Sequence, residues 1–229
     1  VLAFLTLEKN ASADGSSVAG FDLSVVRKVL KMPVVWLITL IIMTGYCGYW
    51  GIIRVTPYAS DVFMMSAALA GTVAVAKMWL KPVAAFIAGW LADKVGISIS
   101  VAAAFAALIF CFLVFAFLPG SPLMVPYMIV NLALASIAVF AMRGIYFALL
   151  EEGGVPMAVT GTATGVISVL GFTPDIFIPV MGGWMLDTWP GSAGHRYYFL
   201  TTAAICAVGL LASLLFYRKY VRNPTSGKK

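Results

Sequence analysis

Five ionisable residues stand out in this chain because they lie inside long apolar stretches. They are Arg54, Lys77, Lys81, Arg143 and Asp175. A charged side chain is costly in hydrocarbon, so such residues typically face a water-filled cavity or a partner and mark pathways for ions or solutes. Cations bind carboxylates and phosphates, and a carboxylate can take up and release a proton. The set therefore indicates anion binding and proton coupling.

The four cations differ in their expected depth. Arg54 lies in the last turn of its apolar stretch and Arg143 within two turns of an end. Either side chain can therefore extend its charged head to the membrane surface, and both anchoring and function stay open for them. Lys77 lies near the middle of its stretch, and Lys81 follows one turn later on the same helix face. We expect Lys77 and Lys81 to form a basic stripe that faces a cavity and binds substrate.

The acid is flanked by helix-breaking residues. Asp175 lies between Pro174 and Pro179. Prolines free backbone carbonyls and bend a helix, which a membrane span tolerates only where protein or water satisfies the freed groups. Two interpretations stay open for Asp175. It pairs with a Lys or Arg on a neighbouring helix, or it is a protonation site for coupling.

The first apolar stretch combines small, aromatic and basic residues. Glycine recurs at every third position: Gly45, Gly48 and Gly51. Tyr46, Trp50 and Arg54 share one helix face at i, i+4 and i+8. This pattern is typical of tight helix packing, or of a binding-site wall in which rings stack on a sugar or organic acid and Arg54 pairs with an anion. Asn131, in the fourth stretch, also needs a polar partner, and we include it among the binding residues.

Composition defines the class of protein. The chain is 62% hydrophobic and 10% charged, with a mean hydropathy of +1.00, whereas soluble domains carry about 25% charged residues. Six stretches are long enough to cross a membrane, and none shows the alternation of a barrel strand. We expect an all-α polytopic membrane protein, a bundle of six transmembrane helices over residues 33–220. The predicted spans are Pro33–Pro57, Val62–Leu91, Ser98–Leu118, Leu123–Leu149, Val155–Leu186 and Tyr197–Tyr220.

The loop charges predict the orientation. Six crossings place both ends on one side, and almost all loop Lys and Arg residues fall on that side, which marks it as cytoplasmic. This bias explains the net charge of +6 without a nucleic-acid partner. We expect residues 8–32 to be a cytoplasmic linker with an amphipathic helix over 22–30, and 221–229 to be a cytoplasmic tail. Residues 1–7 are expected to end an earlier span of a longer protein.

A short charged hairpin links the second and third spans. Residues 89–96 read Gly-Trp-Leu-Ala-Asp-Lys-Val-Gly. The hairpin resembles the loop motif G-x-x-x-D-[RK]-x-G of the major facilitator superfamily of secondary transporters. Four residues carry the match: Gly89, Asp93, Lys94 and Gly96. Ile97 and Ser98 replace the basic pair that often follows, which is typical of the weaker second copy of this motif. The chain therefore resembles the C-terminal half of a major facilitator, helices seven to twelve.

The distribution of charge agrees with this resemblance. The third predicted span and the apolar length of the sixth lack intramembrane charge, and they correspond to the ninth and twelfth helices of that family, which lie at the outside. The charged spans correspond to the helices that line or border its central cavity. The resemblance implies alternating access, with two six-helix halves rocking about a central site. It also implies that Asp93 joins an interhelical charge network. We group the four motif residues with Asp175 and Arg143 as coupling and gating residues.

These observations predict a secondary active transporter in a bacterial inner membrane, with both ends in the cytoplasm. Its substrate is expected to be a small organic anion, such as a sugar acid, sugar phosphate or carboxylate. Proton coupling is the commonest arrangement in the family it resembles, and exchange and facilitated diffusion stay open. The alternative is a transporter-like sensor that binds a solute without net transport. The chain has no HExxH, GxSxG or CxxC motif and one histidine, His195, in a predicted outer loop. We therefore expect no enzyme, metal or cofactor. The expected partners are the solute, the lipid bilayer and the N-terminal six-helix half.

Overall fold

The computed structural model of this chain describes residues 23–223. These residues form a helical bundle in which six helices are long and apolar enough to cross a membrane. This confirms the expected all-α bundle of six spans. The expected span end at residues 1–7 lies outside the described residues, as do residues 8–22 of the linker and 224–229 of the tail. The spans run over Pro33–Phe63, Ala67–Val95, Ile97–Phe117, Pro122–Glu152, Met157–Thr188 and Ser192–Arg222.

Most spans are built from shorter helical pieces. The first contains helices Pro33–Ile53 and Val55–Phe63, and the second contains Ala67–Ala76, a 3₁₀ turn at Lys77–Trp79 and Leu80–Val95. The third is the single helix Ile97–Phe117. The fourth consists of a 3₁₀ turn at Pro122–Met124, helix Val125–Ile145, a 3₁₀ turn at Tyr146–Ala148 and helix Leu149–Glu152. The fifth contains Met157–Gly171 and Pro174–Thr188, and the sixth contains Ser192–Phe216 and a π-helical turn at Tyr217–Arg222.

Two boundaries differ from the predicted ones in ways that matter for function. The first span continues past Pro57, because this proline lies in the first turn of the helix Val55–Phe63, where its missing N–H is tolerated. Arg54 is therefore well inside the span, and its expected place in the last turn is wrong. The sixth span begins at Ser192. His195 consequently lies in the first turn of a helix, and the expected outer loop is wrong for it.

A short helix precedes the first span. It runs from Leu23 to Leu30, within the region where the sequence predicts an amphipathic helix. Val29 is fully buried, and the indole N–H of Trp36 donates to the carbonyl of Leu30 at 2.8 Å. The helix packs against the fifth and first spans.

The first span forms the centre of the bundle. Its glycines face the third, fourth and sixth spans, where an added Cβ at Gly45 would lie 2.7 Å from Met142 Cε and one at Gly51 would overlap the Phe112 ring. The glycine spacing therefore serves tight helix packing. The sixth span packs against the third and first spans, the fourth packs against the second and third, and the fifth packs against the first.

The second and fifth spans are the least covered. In an apolar stretch of 18 residues taken from each span, 17% is buried in the second span and 28% in the fifth, against 50% in the third. Several glycines on the second, fourth and fifth spans have open space where a Cβ would be: Gly71, Gly89, Gly144, Gly161, Gly165 and Gly183. The second and fifth spans thus have the largest uncovered fraction among the six spans of the described bundle.

Candidate functional site

The fifth span is interrupted where it passes the first. Pro174 has no N–H to offer the carbonyl of Leu170, and the backbone N–H and the hydroxyl of Thr173 donate to that carbonyl at 3.2 and 2.7 Å instead. A new helix then begins at Pro174. Asp175 lies in its first turn, where the helix dipole favours a negative charge. The local sequence therefore places a carboxylate at a helix start where the fifth span passes the first.

Two aromatic side chains of the first span hold this carboxylate. The Trp50 Nε1–H donates to Asp175 Oδ1 at 2.9 Å, and the Tyr46 hydroxyl donates to Oδ2 at 3.2 Å. Asp175 is exposed, while Tyr46 and Trp50 are half-buried. Within residues 23–223 no Lys or Arg forms an ion pair with Asp175. Of the two interpretations left open for Asp175, pairing with a Lys or Arg finds no support in this part of the chain, where neutral donors bind the carboxylate.

Arg143 of the fourth span reaches the same place. Its guanidinium lies 4.2 Å from the Tyr49 ring centroid and 5.2 Å from that of Tyr46, which is cation–π geometry. Its span continues to Glu152, and the rings hold the guanidinium inside the bundle. In the described part of the chain Arg143 has no carboxylate partner.

These contacts bring residues of three spans together. We call Tyr46, Tyr49, Trp50, Arg143 and Asp175 the central cluster. The Tyr46 ring links its two charged members, since it lies beside the guanidinium and its hydroxyl binds the carboxylate. The arrangement can bind an anion at the guanidinium and take up a proton at the carboxylate.

Arg54 also joins the first span to the fifth, one turn beyond Trp50. Its Nη2 donates to the carbonyl of Pro179 at 3.0 Å. Gly182 makes room for it, because a Cβ there would lie 3.1 Å from the guanidinium carbon. The face formed by Tyr46, Trp50 and Arg54 thus lies along the fifth span, and Arg54 is half-buried with a backbone partner.

The expected basic stripe of Lys77 and Lys81 is wrong in its geometry. The 3₁₀ turn at Lys77–Trp79 changes the direction of successive side chains. Lys77 is 6% exposed and donates to the carbonyl of Ile52 at 2.8 Å. Lys81 is exposed and lies 5.5 Å from the Phe140 ring centroid. No hydrogen bond or ion pair joins either lysine to the central cluster among the described residues.

Asn131 is also separate from the central cluster. It is 5% exposed, and its Nδ2 donates to the carbonyl of Cys111 at 2.9 Å. This bond connects the fourth span to the third. The partner that the sequence required for Asn131 is therefore a backbone group in the packing interface.

The hairpin between the second and third spans is one glycine long. Gly96 has φ +90°, a conformation that favours glycine, and it separates the helices that end at Val95 and begin at Ile97. Asp93 and Lys94 are exposed, and the Lys94 ammonium lies 4.0 Å from the Trp90 ring centroid. Gly89 is exposed with open space around it. The network implied for Asp93 has no ion pair among the described residues.

Sequence reasoning missed the residue that binds this hairpin. Glu152, at the end of the fourth span, accepts from the Ser98 backbone N–H at 2.8 Å and from its hydroxyl at 3.1 Å. The carboxylate thereby satisfies a free amide at the start of the third span. Two signals in the sequence were available for this contact. One is Ser98, two residues after the motif glycine Gly96, and the other is an acid at the end of a neighbouring span.

A second missed pair lies at the opposite end of the bundle. His195 Nε2 lies 2.9 Å from Asp61 Oδ2, and His195 is 1% exposed. The Tyr58 ring lies beside it, with centroids 5.4 Å apart. The predicted loop after Pro57 concealed Asp61, because the helix was expected to end before it.

Comparison with known proteins supports the membrane assignment. No family model matches the chain. The chain is 26% identical over 199 residues to the inner membrane protein YihN of Escherichia coli (strain K12). The matched region covers 83% of this chain and 46% of YihN. The chain is also 35% identical over 81 residues to the inner membrane protein YqcE of the same organism. This matched region covers 35% of this chain and 19% of YqcE.

The chain spans about half the length of YihN and less of YqcE. Both relatives are named as inner membrane proteins, and the described residues form six apolar helices of membrane-spanning length. These findings establish the chain as an integral inner membrane protein in contact with the lipid bilayer.

Proposed function

We propose that this chain is the C-terminal six-helix half of a secondary transporter of the major facilitator type, which moves a small organic anion by alternating access. The observation that carries the proposal is that Arg143 of the central cluster has no carboxylate partner among the described residues. A guanidinium inside a membrane protein needs a compensating partner, and the described residues supply aromatic rings but no carboxylate. A carboxylate or phosphate of the substrate fills that role, because guanidinium binds both in bidentate geometry.

Asp175 provides the coupling group. As a carboxylate it accepts from Trp50 and Tyr46. Protonation removes its charge and weakens both bonds, which releases the indole N–H and the phenol to donate to the hydroxyl or acid groups of a bound solute. Substrate at Arg143 and a proton at Asp175 therefore favour each other through Tyr46, which contacts both residues.

The uncovered spans are where the other half of the transporter binds. The second and fifth spans are the least buried of the six, and glycines on them face open space. Small residues let helices approach closely. A second six-helix bundle against these surfaces encloses the central cluster, and rocking between the bundles opens the site to either side. The length of YihN, about twice the matched region, agrees with a protein of two such halves.

The hairpin end of the bundle is the gate. Glu152 joins the fourth span to the third through Ser98, next to the motif residues Asp93 and Lys94. The excess of Lys and Arg at this end supports a cytoplasmic location for it and for both ends of the chain. The exposed side chains of Asp93 and Lys94 are free to pair with the other half in one conformation only.

The test is uptake into proteoliposomes that contain the complete protein. The solutes are neutral sugars, sugar acids, sugar phosphates and carboxylates, each with and without an inward proton gradient. We expect an anion to accumulate in the wild type. Arg143→Gln should raise the apparent KM for it roughly tenfold or more, because one charge-assisted bidentate pair is lost. The matched control is Arg196→Gln, which removes an exposed guanidinium that lies 4.7 Å from the Phe117 ring.

Other outcomes separate the alternatives. Movement of neutral solutes alone, or equal effects of the two arginine changes, would refute the anion site. Saturable binding without flux would replace the transporter with a solute sensor.

A further inference from the structure

A groove of about 660 Å³ lies between the start of the first span and the end of the sixth. It is at the same end of the bundle as the hairpin, away from the central cluster. Its inner wall is apolar and includes Leu37, Leu40 and Leu215. These side chains lie one to two turns inside the span ends, at the depth of lipid acyl chains.

The mouth of the groove is basic. Arg218 and Lys219 line it and are exposed, and no Asp or Glu is among its lining residues. Both lie in the π-helical turn Tyr217–Arg222 that ends the sixth span. The Lys219 ammonium lies 5.4 Å from the Tyr220 ring centroid, so it has an aromatic neighbour but no acidic partner in the described residues.

Aromatic side chains with polar edges border the same mouth. Trp36 lines the groove, and its bond to the Leu30 carbonyl fixes the indole at the rim. Tyr220 lies on the other side. Tryptophan and tyrosine are typical of the membrane–water interface. The groove thus combines apolar, aromatic and basic surfaces, which suit the acyl chains, the glycerol region and the phosphate of a phospholipid.

We propose that this groove binds an anionic glycerophospholipid. One acyl chain lies along Leu37, Leu40 and Leu215, and the phosphate accepts from Arg218 and Lys219. Charge complementarity selects the occupant, since two cations without an acid favour a lipid with net negative charge over a zwitterionic one. The apolar wall favours a lipid over a free phosphate, which would leave that wall in water. This site is independent of the proposed transport function.

The experiment uses the complete protein, stripped of lipid in detergent, with native mass spectrometry to count bound lipids. The probes are phosphatidylglycerol, phosphatidylcholine and glycerol phosphate. We expect phosphatidylglycerol to bind roughly tenfold more tightly than phosphatidylcholine, and the variant Arg218→Gln with Lys219→Gln to lose that preference. The matched control, Lys31→Gln with Arg222→Gln, removes the same charge from exposed residues near this end that do not line the groove. It should keep the preference.

A second variant tests the apolar wall. Leu40→Trp fills the groove without a change in charge and should displace the lipid. Equal losses in the two charge variants would show general surface attraction and overturn the site. Equal binding of the two lipids, glycerol phosphate binding as tight as that of the lipid, or full retention of lipid by Leu40→Trp would each overturn it as well.

Discussion

The polar residues inside this bundle fall into two regions that differ in what remains available to a ligand. In the central cluster, Asp175 is exposed, and Arg143 lies over aromatic rings with no carboxylate partner among the described residues. In the packing interfaces, Asn131 and Lys77 are about 95% buried, and each donates to a backbone carbonyl of another span. Both regions satisfy the requirement that polar groups in a membrane find partners. Only the first leaves charge and hydrogen-bonding capacity for something that is not part of the bundle.

This difference shows how a residue that can bind a ligand is distinguished from one that serves helix packing in such proteins. Residue type and depth are similar in the two regions, and a lysine in the middle of a span looks as functional as an arginine. The partner distinguishes the two regions. Lys77 donates to a backbone carbonyl and is part of a packing interface, whereas aromatic faces position Arg143 without neutralising its charge.

The largest effect should come from Asp175→Asn. The amide still accepts from Trp50 but cannot take up a proton, so proton-driven accumulation should fall to the level of empty vesicles while solute exchange persists. Uptake and counterflow in proteoliposomes measure the two activities. Asp187→Asn, an exposed acid on the same helix, is the control and should behave as wild type. Proton-driven accumulation by Asp175→Asn would end the proposed coupling role.

Gly51→Ala tests the packing region at its tightest point. Its Cβ would overlap the Phe112 ring and lie 3.0 Å from Thr202 Cγ2, so we expect a loss of about 1–3 kcal/mol in the free energy of unfolding. Unfolding in mixed micelles measures this loss. Gly144→Ala is the matched control, because nothing lies within 4 Å of its Cβ among the described residues and Gly144 is outside the two spans proposed to face the other half. Equal losses in the two variants would contradict the packing assigned to the first span.

A smaller effect is expected from Asn131→Leu. Removal of the amide deletes its bond to the Cys111 carbonyl, and an interhelical hydrogen bond in a membrane protein contributes about 1 kcal/mol. The free energy of unfolding should fall by that amount, and the KM for the transported solute should stay unchanged. A change in KM with stability intact would move Asn131 into the substrate site.

The smallest effect should follow Lys77→Met. The methionine keeps most of the side-chain volume and removes a buried cation, and replacement of buried charge by an apolar group is often neutral for stability. We expect transport by Lys77→Met to stay near the wild-type rate in the same vesicle assay. Loss of anion transport with normal unfolding would place Lys77 in the site and erase the contrast with Arg143.

Much of the fold followed from local patterns. Apolar length and the short loops between the apolar stretches predicted the six spans. The third span was predicted to within one residue at each end, because glycine and proline stand at its borders. The first and sixth spans were predicted too short, since Pro57 and His195 resemble loop residues in one dimension but lie within the first turn of a helix.

The candidate site was predicted in part. Tyr46, Trp50 and Asp175 were singled out, and the structure joins them by hydrogen bonds. Tyr49 and Glu152 were missed, because an aromatic ring or a loop acid gains its role only from the partner that packs against it. Lys81 and Asn131 were grouped with the site because helix periodicity does not show which neighbouring helix covers a face.

The sequence by itself determined that this chain is a membrane-embedded bundle of six helices with charge concentrated in particular spans. Hydrophobic length and loop composition are local properties, and the bilayer acts on them one segment at a time. The tertiary structure decided which of those charges remain available. Whether a buried cation meets a carbonyl, a ring or an open site depends on contacts between residues far apart in the chain, such as Trp50 and Asp175.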